Sequence, residues 1–100
     1  MYARVTMAET RPGTMGELIS FFEEVAPQLK GLKGFVRSQL LTDRTANKVM
    51  VVSLYETLAD LEAGESLFRQ AMADPRAVAA LAGLPVVAVY EVAAQIAAQL

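Results

Sequence analysis

The run Lys48-Val49-Met50-Val51-Val52-Ser53-Leu54-Tyr55-Glu56 constrains this chain more than any other segment. It is strand-like and apolar on both parities, with Val49 and Val51 on one side and Met50, Val52 and Leu54 on the other. Successive side chains of a strand point to opposite faces, so a strand with this pattern is covered on both sides. A chain of 100 residues has length for one domain, 1–100, and one core. Helices cover one face of its sheet, and something further has to cover the other.

The remaining elements follow from period and punctuation. Tyr2 to Ala8 alternates, with Ala3, Val5 and Met7 opposite Tyr2, Arg4 and Thr6, and reads as the first strand. Glu9-Thr10-Arg11-Pro12-Gly13 is a turn, and Thr14 with Glu17 three residues later spells a capping box. Met15, Leu18, Ile19, Phe22, Val25, Ala26 and Leu29 then form one apolar stripe of a first helix, which Pro27 distorts and Gly31 ends in a left-handed conformation. Gly34 to Thr42 and Lys48 to Glu56 form a hairpin across Asp43-Arg44-Thr45-Ala46-Asn47. Thr57 with Asp60 caps a second helix whose face carries Leu58, Leu61, Phe68 and Met72. Asp74-Pro75 starts a short helix over Arg76 to Ala82, ended by Gly83. Val86 to Val92 is the last strand. Residues 93–100 make an apolar tail, in which Val92, Ile96 and Leu100 have helical spacing.

This order, β-α-β-β-α-β with one inserted helix, predicts an α+β fold: a ferredoxin-like split βαβ with an antiparallel sheet. Because the last two strands keep Val and Leu on both parities, the open sheet face is expected to pack against a second copy of the chain, giving a homodimer through sheet faces.

Composition bears on chemistry. The chain has no His, Cys or Trp, so a Ser-His-Asp triad, a thiolate nucleophile, an imidazole zinc site and a proximal-His haem are excluded within it. Disulfides are excluded as well, and a cytoplasmic protein is expected. A formal charge of −2 gives no reason to expect nucleic acid. Gly31-Leu32-Lys33-Gly34 spells a GXXG loop but reads as a helix end and a strand entry. The stretch from Ala77 to the end carries only Glu91 as a charge, yet Gly83-Leu84-Pro85 breaks it, so no membrane span is expected.

The candidate site residues are cations and aromatics. Arg37 and Arg4 lie within strands that look covered, and a guanidinium offers several donors to an anionic or phenolic ligand; the other reading is an ion pair with Glu91 or Glu56. Phe22 with its neighbour Phe21, and Phe68 on the second helix, bring aromatics over the sheet, where they line a pocket or fill the core. Tyr55 and Tyr90 are phenols on strands whose hydroxyls need partners. Glu62 and Glu65 share a helix face without a third ligand, so they form no metal site.

Several short motifs together resemble one family. They are Arg11-Pro12-Gly13-Thr14 after the first strand, Leu32-Lys33-Gly34-Phe35 opening the second, Leu40-Leu41-Thr42-Asp43 closing it, Ser53-Leu54-Tyr55-Glu56-Thr57, and Val89-Tyr90-Glu91-Val92. Over nearly the whole chain the sequence resembles the antibiotic biosynthesis monooxygenase domain. The resemblance implies a dimeric α/β barrel, two ferredoxin-like protomers with sheets packed together. It also implies either oxidation of phenols by dioxygen without metal or flavin, or haem degradation. Where the family often has Trp at the end of the third strand, Tyr55 stands here; where it often has His on the second helix, the matching residue is Gly64. The haem-degrading branch is therefore not expected, and no cofactor is. For monooxygenation the resemblance implies Arg37 as phenolate anchor, Tyr55 as hydrogen-bond donor and Glu91 as base, with Phe22, Phe68, Tyr90 and Arg4 binding a small aromatic ligand. The alternative is a non-catalytic dimeric module that binds a small molecule or a partner.

Overall fold

In a computed structural model, which describes residues 1–99, the alternating and helical stretches take these forms. The order is β1 (Tyr2–Glu9), α1 (Met15–Lys30), β2 (Phe35–Asp43), β3 (Lys48–Tyr55), α2 (Leu58–Ala63), α3 (Glu65–Ala73), α4 (Pro75–Ala80) and β4 (Val86–Glu91). The four strands form one antiparallel sheet in the order β2-β3-β1-β4, so β1 lies between two strands that follow it in sequence. This is the expected α+β, ferredoxin-like arrangement, with the helices on the face that carries Arg4, Thr6, Ser53 and Tyr55. The core sits there: Tyr55, Leu61 and Ala77 are each 1% exposed. No helix among the described residues is long and apolar enough to cross a membrane.

The other face is built from three cross-strand rows. Register places Leu41, Met50, Met7 and Val86 side by side, then Gln39, Val52, Val5 and Ala88, then Arg37, Leu54, Ala3 and Tyr90. A fourth row, Asp43, Lys48 and Glu9, is charged and closes the apolar surface at one end. Ala3 and Leu54 are buried by their neighbours, but Met7, Leu41, Val86 and Tyr90 are exposed.

Several local expectations are corrected. The helix read across Leu58 to Met72 breaks at Gly64, whose N–H closes α2 onto Asp60 O and Leu61 O and whose position also starts α3. Thr14 begins α1 without capping it: its hydroxyl lies 2.7 Å from Arg11 O and 2.9 Å from Ala80 O, and so ties the start of α1 to the end of α4. Gly31 is right-handed, with φ −83°, and it is Gly34, at φ +72°, that takes the left-handed conformation before β2. Helix α1 runs through Pro27 to Lys30. Residues 92–99 form neither helix nor strand and leave Ile96 fully exposed; Leu100, the last residue of the expected helical spacing, lies outside the described residues. Thr57 caps α2 as expected, its hydroxyl accepting from Asp60 N at 3.1 Å, and Asp74 caps α4 by accepting from Arg76 N at 2.9 Å.

Candidate functional site

Helices α1 and α3 each turn an apolar stripe toward the sheet and leave a cavity of about 110 Å³. Phe21, Phe22 and Leu29 from α1 and Leu67, Phe68 and Met72 from α3 supply the apolar walls. The floor is the helix-side parity of three strands, with Arg4 and Thr6 from β1, Ser38 from β2, and Ser53 and Tyr55 from β3. Alternation alone puts Arg4 and Thr6 on one face of β1, since they are two apart.

Arg4 is 3% exposed, and burial of a cation demands partners. Its Nη2 donates to Leu61 O at 3.0 Å, at the end of α2, and to Glu65 Oε2 at 3.2 Å, at the start of α3. The guanidinium lies 4.6 Å from the centre of the Phe68 ring and 5.9 Å from that of Tyr55, within cation–π range of both. The Tyr55 ring meets Phe35 edge to face at 5.7 Å. Tyr55 Oη reaches the same α2–α3 junction, for a Cβ added at Gly64 would stand 2.9 Å from it.

Three of these groups keep hydrogen-bonding capacity. Tyr55 Oη, Thr6 Oγ1 and the Nε and Nη1 of Arg4 have no partner among the described residues, although Tyr55, Thr6 and Arg4 are each at least nine-tenths buried. No fully enclosed side-chain polar atom among the described residues lacks a partner, so these atoms are not fully enclosed, and the residues that carry them line the cavity. Ser38 and Ser53 hydroxyls instead bond each other at 2.8 Å. The only titratable side chains in the lining are Arg4 and Tyr55; no carboxylate enters it.

One end of the cavity is fastened by charge. Arg76 on α4 bonds Asp74 through Nε and Nη2, each at 3.1 Å, bonds Glu24 of α1 through Nη1, and lies over the buried Phe21 ring at 4.9 Å. The Asp74 carboxyl is held below its ordinary value by the side-chain hydrogen bond from Arg76, with the backbone N–H of Arg76 adding to it. The Arg76 guanidinium is raised, first by Asp74 and then by Glu24.

The structure brings together Arg4, Phe22, Tyr55 and Phe68 and places the other three candidates elsewhere. Arg37 is exposed on the open sheet face. Phe35 pairs with Tyr55 and Arg37 with Leu54, so Val36 is an extra residue, and this bulge reverses the parity that simple alternation gives Arg37. The same reversal turns Ser38 inward. Tyr90 pairs with Ala3 and so faces the open side, 55% exposed. Glu91 has helix-side parity but sits, exposed, on the edge strand β4, which contributes nothing to the lining. Arg4 pairs with Glu65, not with Glu91 or Glu56. Sequence reading missed Thr6, Ser38 and Ser53 as lining groups, although the β1 alternation carried the signal for Thr6.

Comparison with known proteins places this arrangement. The sequence profile of the antibiotic biosynthesis monooxygenase family matches residues 1–67. Among solved structures, the chain is similar to the heme-degrader MhuD from Mycobacterium tuberculosis, described with two hemes in its active site, at 22% identity and TM-score 0.77, covering 97% of this chain and 100% of that one. It is similar to a Caulobacter crescentus protein ascribed to antibiotic biosynthesis monooxygenases, at 22% identity and TM-score 0.74, covering 89% and 86% of the two chains. A Nitrosomonas europaea protein of unknown function matches at 20% identity and TM-score 0.77, covering 98% and 95%. No curated protein matches the chain significantly.

A haem does not fit the residues present. The chain has no imidazole or thiolate for the iron, Tyr55 Oη fills the space above Gly64, and about 110 Å³ leaves no room for a four-pyrrole ring. These neighbours, at low identity, share the fold alone; the profile match over residues 1–67 says more, and the chain belongs to the antibiotic biosynthesis monooxygenase family.

Proposed function

We propose that the protein binds a small aromatic metabolite in the cavity between α1, α3 and the sheet, and oxidises it with dioxygen without a cofactor. The observation that carries this reading is the pairing of an aromatic-walled cavity with buried donor groups that have no partner among the described residues, Nε and Nη1 of Arg4 and the Tyr55 hydroxyl at one end and the Thr6 hydroxyl farther along β1. Apolar walls exclude water and favour a flat ring. Arg4 and Tyr55 stabilise negative charge on a ligand oxygen, and in a dry site such donors act more strongly than in water. In the simplest balance a phenol with an unsubstituted para position and one dioxygen give a quinone and water. The ring supplies four electrons, one oxygen atom becomes the new carbonyl, and the other leaves as water with the two hydrogens lost by the ring.

A second reading, a binding module without chemistry, is favoured by one observation: no carboxylate or imidazole lines the cavity, so no side chain there is suited to take a phenol proton. Oxygen uptake with a panel of phenols unsubstituted at the para position separates the two. Uptake that Tyr55→Phe abolishes supports the enzyme, and binding without uptake retires it in favour of the module.

The apolar rows on the open sheet face support a homodimer packed through them. Exposed Leu41, Met7 and Val86 share one row with Met50, exposed Tyr90 stands two rows away, and a charged row of Asp43, Lys48 and Glu9 bounds the surface as a rim bounds an interface.

A further inference from the structure

The ligand class can be narrowed by what the cavity holds and what it lacks. Resting on the reading that this cavity takes an aromatic ligand, we infer that its ligand is a single-ring aromatic carboxylate, held by its carboxylate at the Arg4–Tyr55 end. Size is the first argument. An engineered apolar cavity of about 150 Å³ accommodates benzene, and the 110 Å³ found here is smaller, so a single ring is the most that the cavity holds and a fused polycycle exceeds it.

Charge is the second. A neutral phenol titrates near pH 10 and would need a base to become an anion, but the only titratable lining groups are Arg4, which is already a cation, and Tyr55, itself a phenol. A carboxylic acid titrates near pH 4 and enters already ionised. It offers acceptors only, and the unpartnered groups at this end include the N–H donors of Arg4 Nε and Nη1 and the hydroxyl of Tyr55, while Thr6 Oγ1 lies farther along the same strand. The Phe68 face against the guanidinium extends the apolar wall up to the point where the charge is met.

Glu65 is the third element and sets the affinity. It already shares Arg4 Nη2, yet its side chain is 41% exposed and reaches Arg69 as well, so it can turn to water when a second carboxylate arrives. The site therefore holds a cation that is neutralised at rest by a replaceable anion. Removing that anion strengthens the attraction for the ligand, whereas removing a donor weakens it.

Calorimetric titration of the full chain with benzoate, benzamide, phenol and 1-naphthoate tests this. Benzamide has the shape of benzoate without the charge, and 1-naphthoate has the charge with a second ring. The expected result is benzoate binding at least about ten-fold tighter than each of the other three, with the preference reduced in Tyr55→Phe and increased in Glu65→Gln. Glu65→Gln removes a half-exposed group and leaves Arg4 bonded to Leu61 O, so it keeps the test open should an Arg4 variant fail to fold. Equal binding of benzamide or phenol overturns the carboxylate assignment while leaving the aromatic cavity standing. Tighter binding of 1-naphthoate overturns the single-ring limit. If none of the four binds, the reading of the cavity as an aromatic site falls with the inference.

Discussion

The Tyr55 hydroxyl and the α-carbon of Gly64 share a space too small for a side chain: a Cβ at position 64 would lie 2.9 Å from Tyr55 Oη and 3.4 Å from Tyr55 Cε1. Gly64 is right-handed, with φ −81°, so the backbone itself does not demand glycine there. The neighbouring ring does. At an ordinary helix position, replacing Gly by Ala stabilises by up to about 1 kcal/mol. Here the expected sign is reversed: Gly64→Ala lowers the urea midpoint, by about 1–2 kcal/mol of overpacking, and most of the loss disappears in a Tyr55→Phe background. A Gly64→Ala protein as stable as the parent would show that the ring moves aside at no cost.

Gly34 responds differently, because two constraints act on it. Its φ of +72° is left-handed, and a Cβ there would meet Asp60 Oδ2 at 2.0 Å and Asp60 Cβ at 2.7 Å. Gly34→Ala is expected to destabilise more than Gly64→Ala. Adding Asp60→Ala removes the carboxyl but keeps the Cβ at 2.7 Å, so Asp60→Gly is the change that relieves the collision in full and leaves roughly 1 kcal/mol of left-handed strain. Thermal unfolding of the single and double variants reads both parts.

Acid should loosen the α1–α4 end of the cavity. Asp74 is held below its ordinary 3.8 by hydrogen bonds from Arg76, so it binds a proton less readily folded than unfolded. A depressed carboxyl contributes stability above its unfolded value, and that contribution fades as pH falls through the lower folded value. Unfolding measured from pH 6 down to pH 2 is expected to show an added loss below about pH 4 that Asp74→Asn lacks. Asn still caps a helix, so the comparison isolates the charge. Equal acid profiles for the two proteins would dismiss the effect.

Charge placed on the open sheet face should separate the chains. Met7 stands in the row with Met50 and Val86, and Leu41 flanks Met50 on the other side. Met7→Lys or Leu41→Lys puts like charges into any face-to-face contact, which costs far more when desolvated than when exposed. Sedimentation is expected to show the parent as a dimer and each variant at the mass of a single chain. A parent that sediments as a single chain at micromolar concentration would remove the dimer reading.

The fold was legible because its signals are local. The alternation in Tyr2 to Ala8, the stripe from Met15 to Leu29 and the cap at Thr57 each depend on neighbours a few residues away. The site was legible only in part. Arg4, Tyr55, Phe22 and Phe68 follow from parity and helical spacing, whereas a single extra residue at Val36 puts Arg37 on the opposite face. A one-residue slip exchanges the faces of a strand, and nothing in Gly34-Phe35-Val36-Arg37 marks a bulge. Glu91 lies outside the lining for a different reason. Its parity is right, but strand order at the sheet edge depends on pairing across the whole chain. Thr14 shows the limit of motif reading, since its capping-box spelling is intact while its hydroxyl serves the carbonyl of Ala80, 66 residues away.

Arg4 donates to the main-chain oxygen of Leu61, and that has a bearing on how such a site diverges among relatives. A carbonyl oxygen is present whatever side chain occupies position 61, so substitutions there alter packing without removing the acceptor. The acceptor that holds the cation is thus supplied by the backbone path alone. Its effective charge is set at position 65, on a half-exposed side chain that can change with little effect on the core. A change at position 65 would therefore alter the charge around the cation while leaving the backbone that holds it in place.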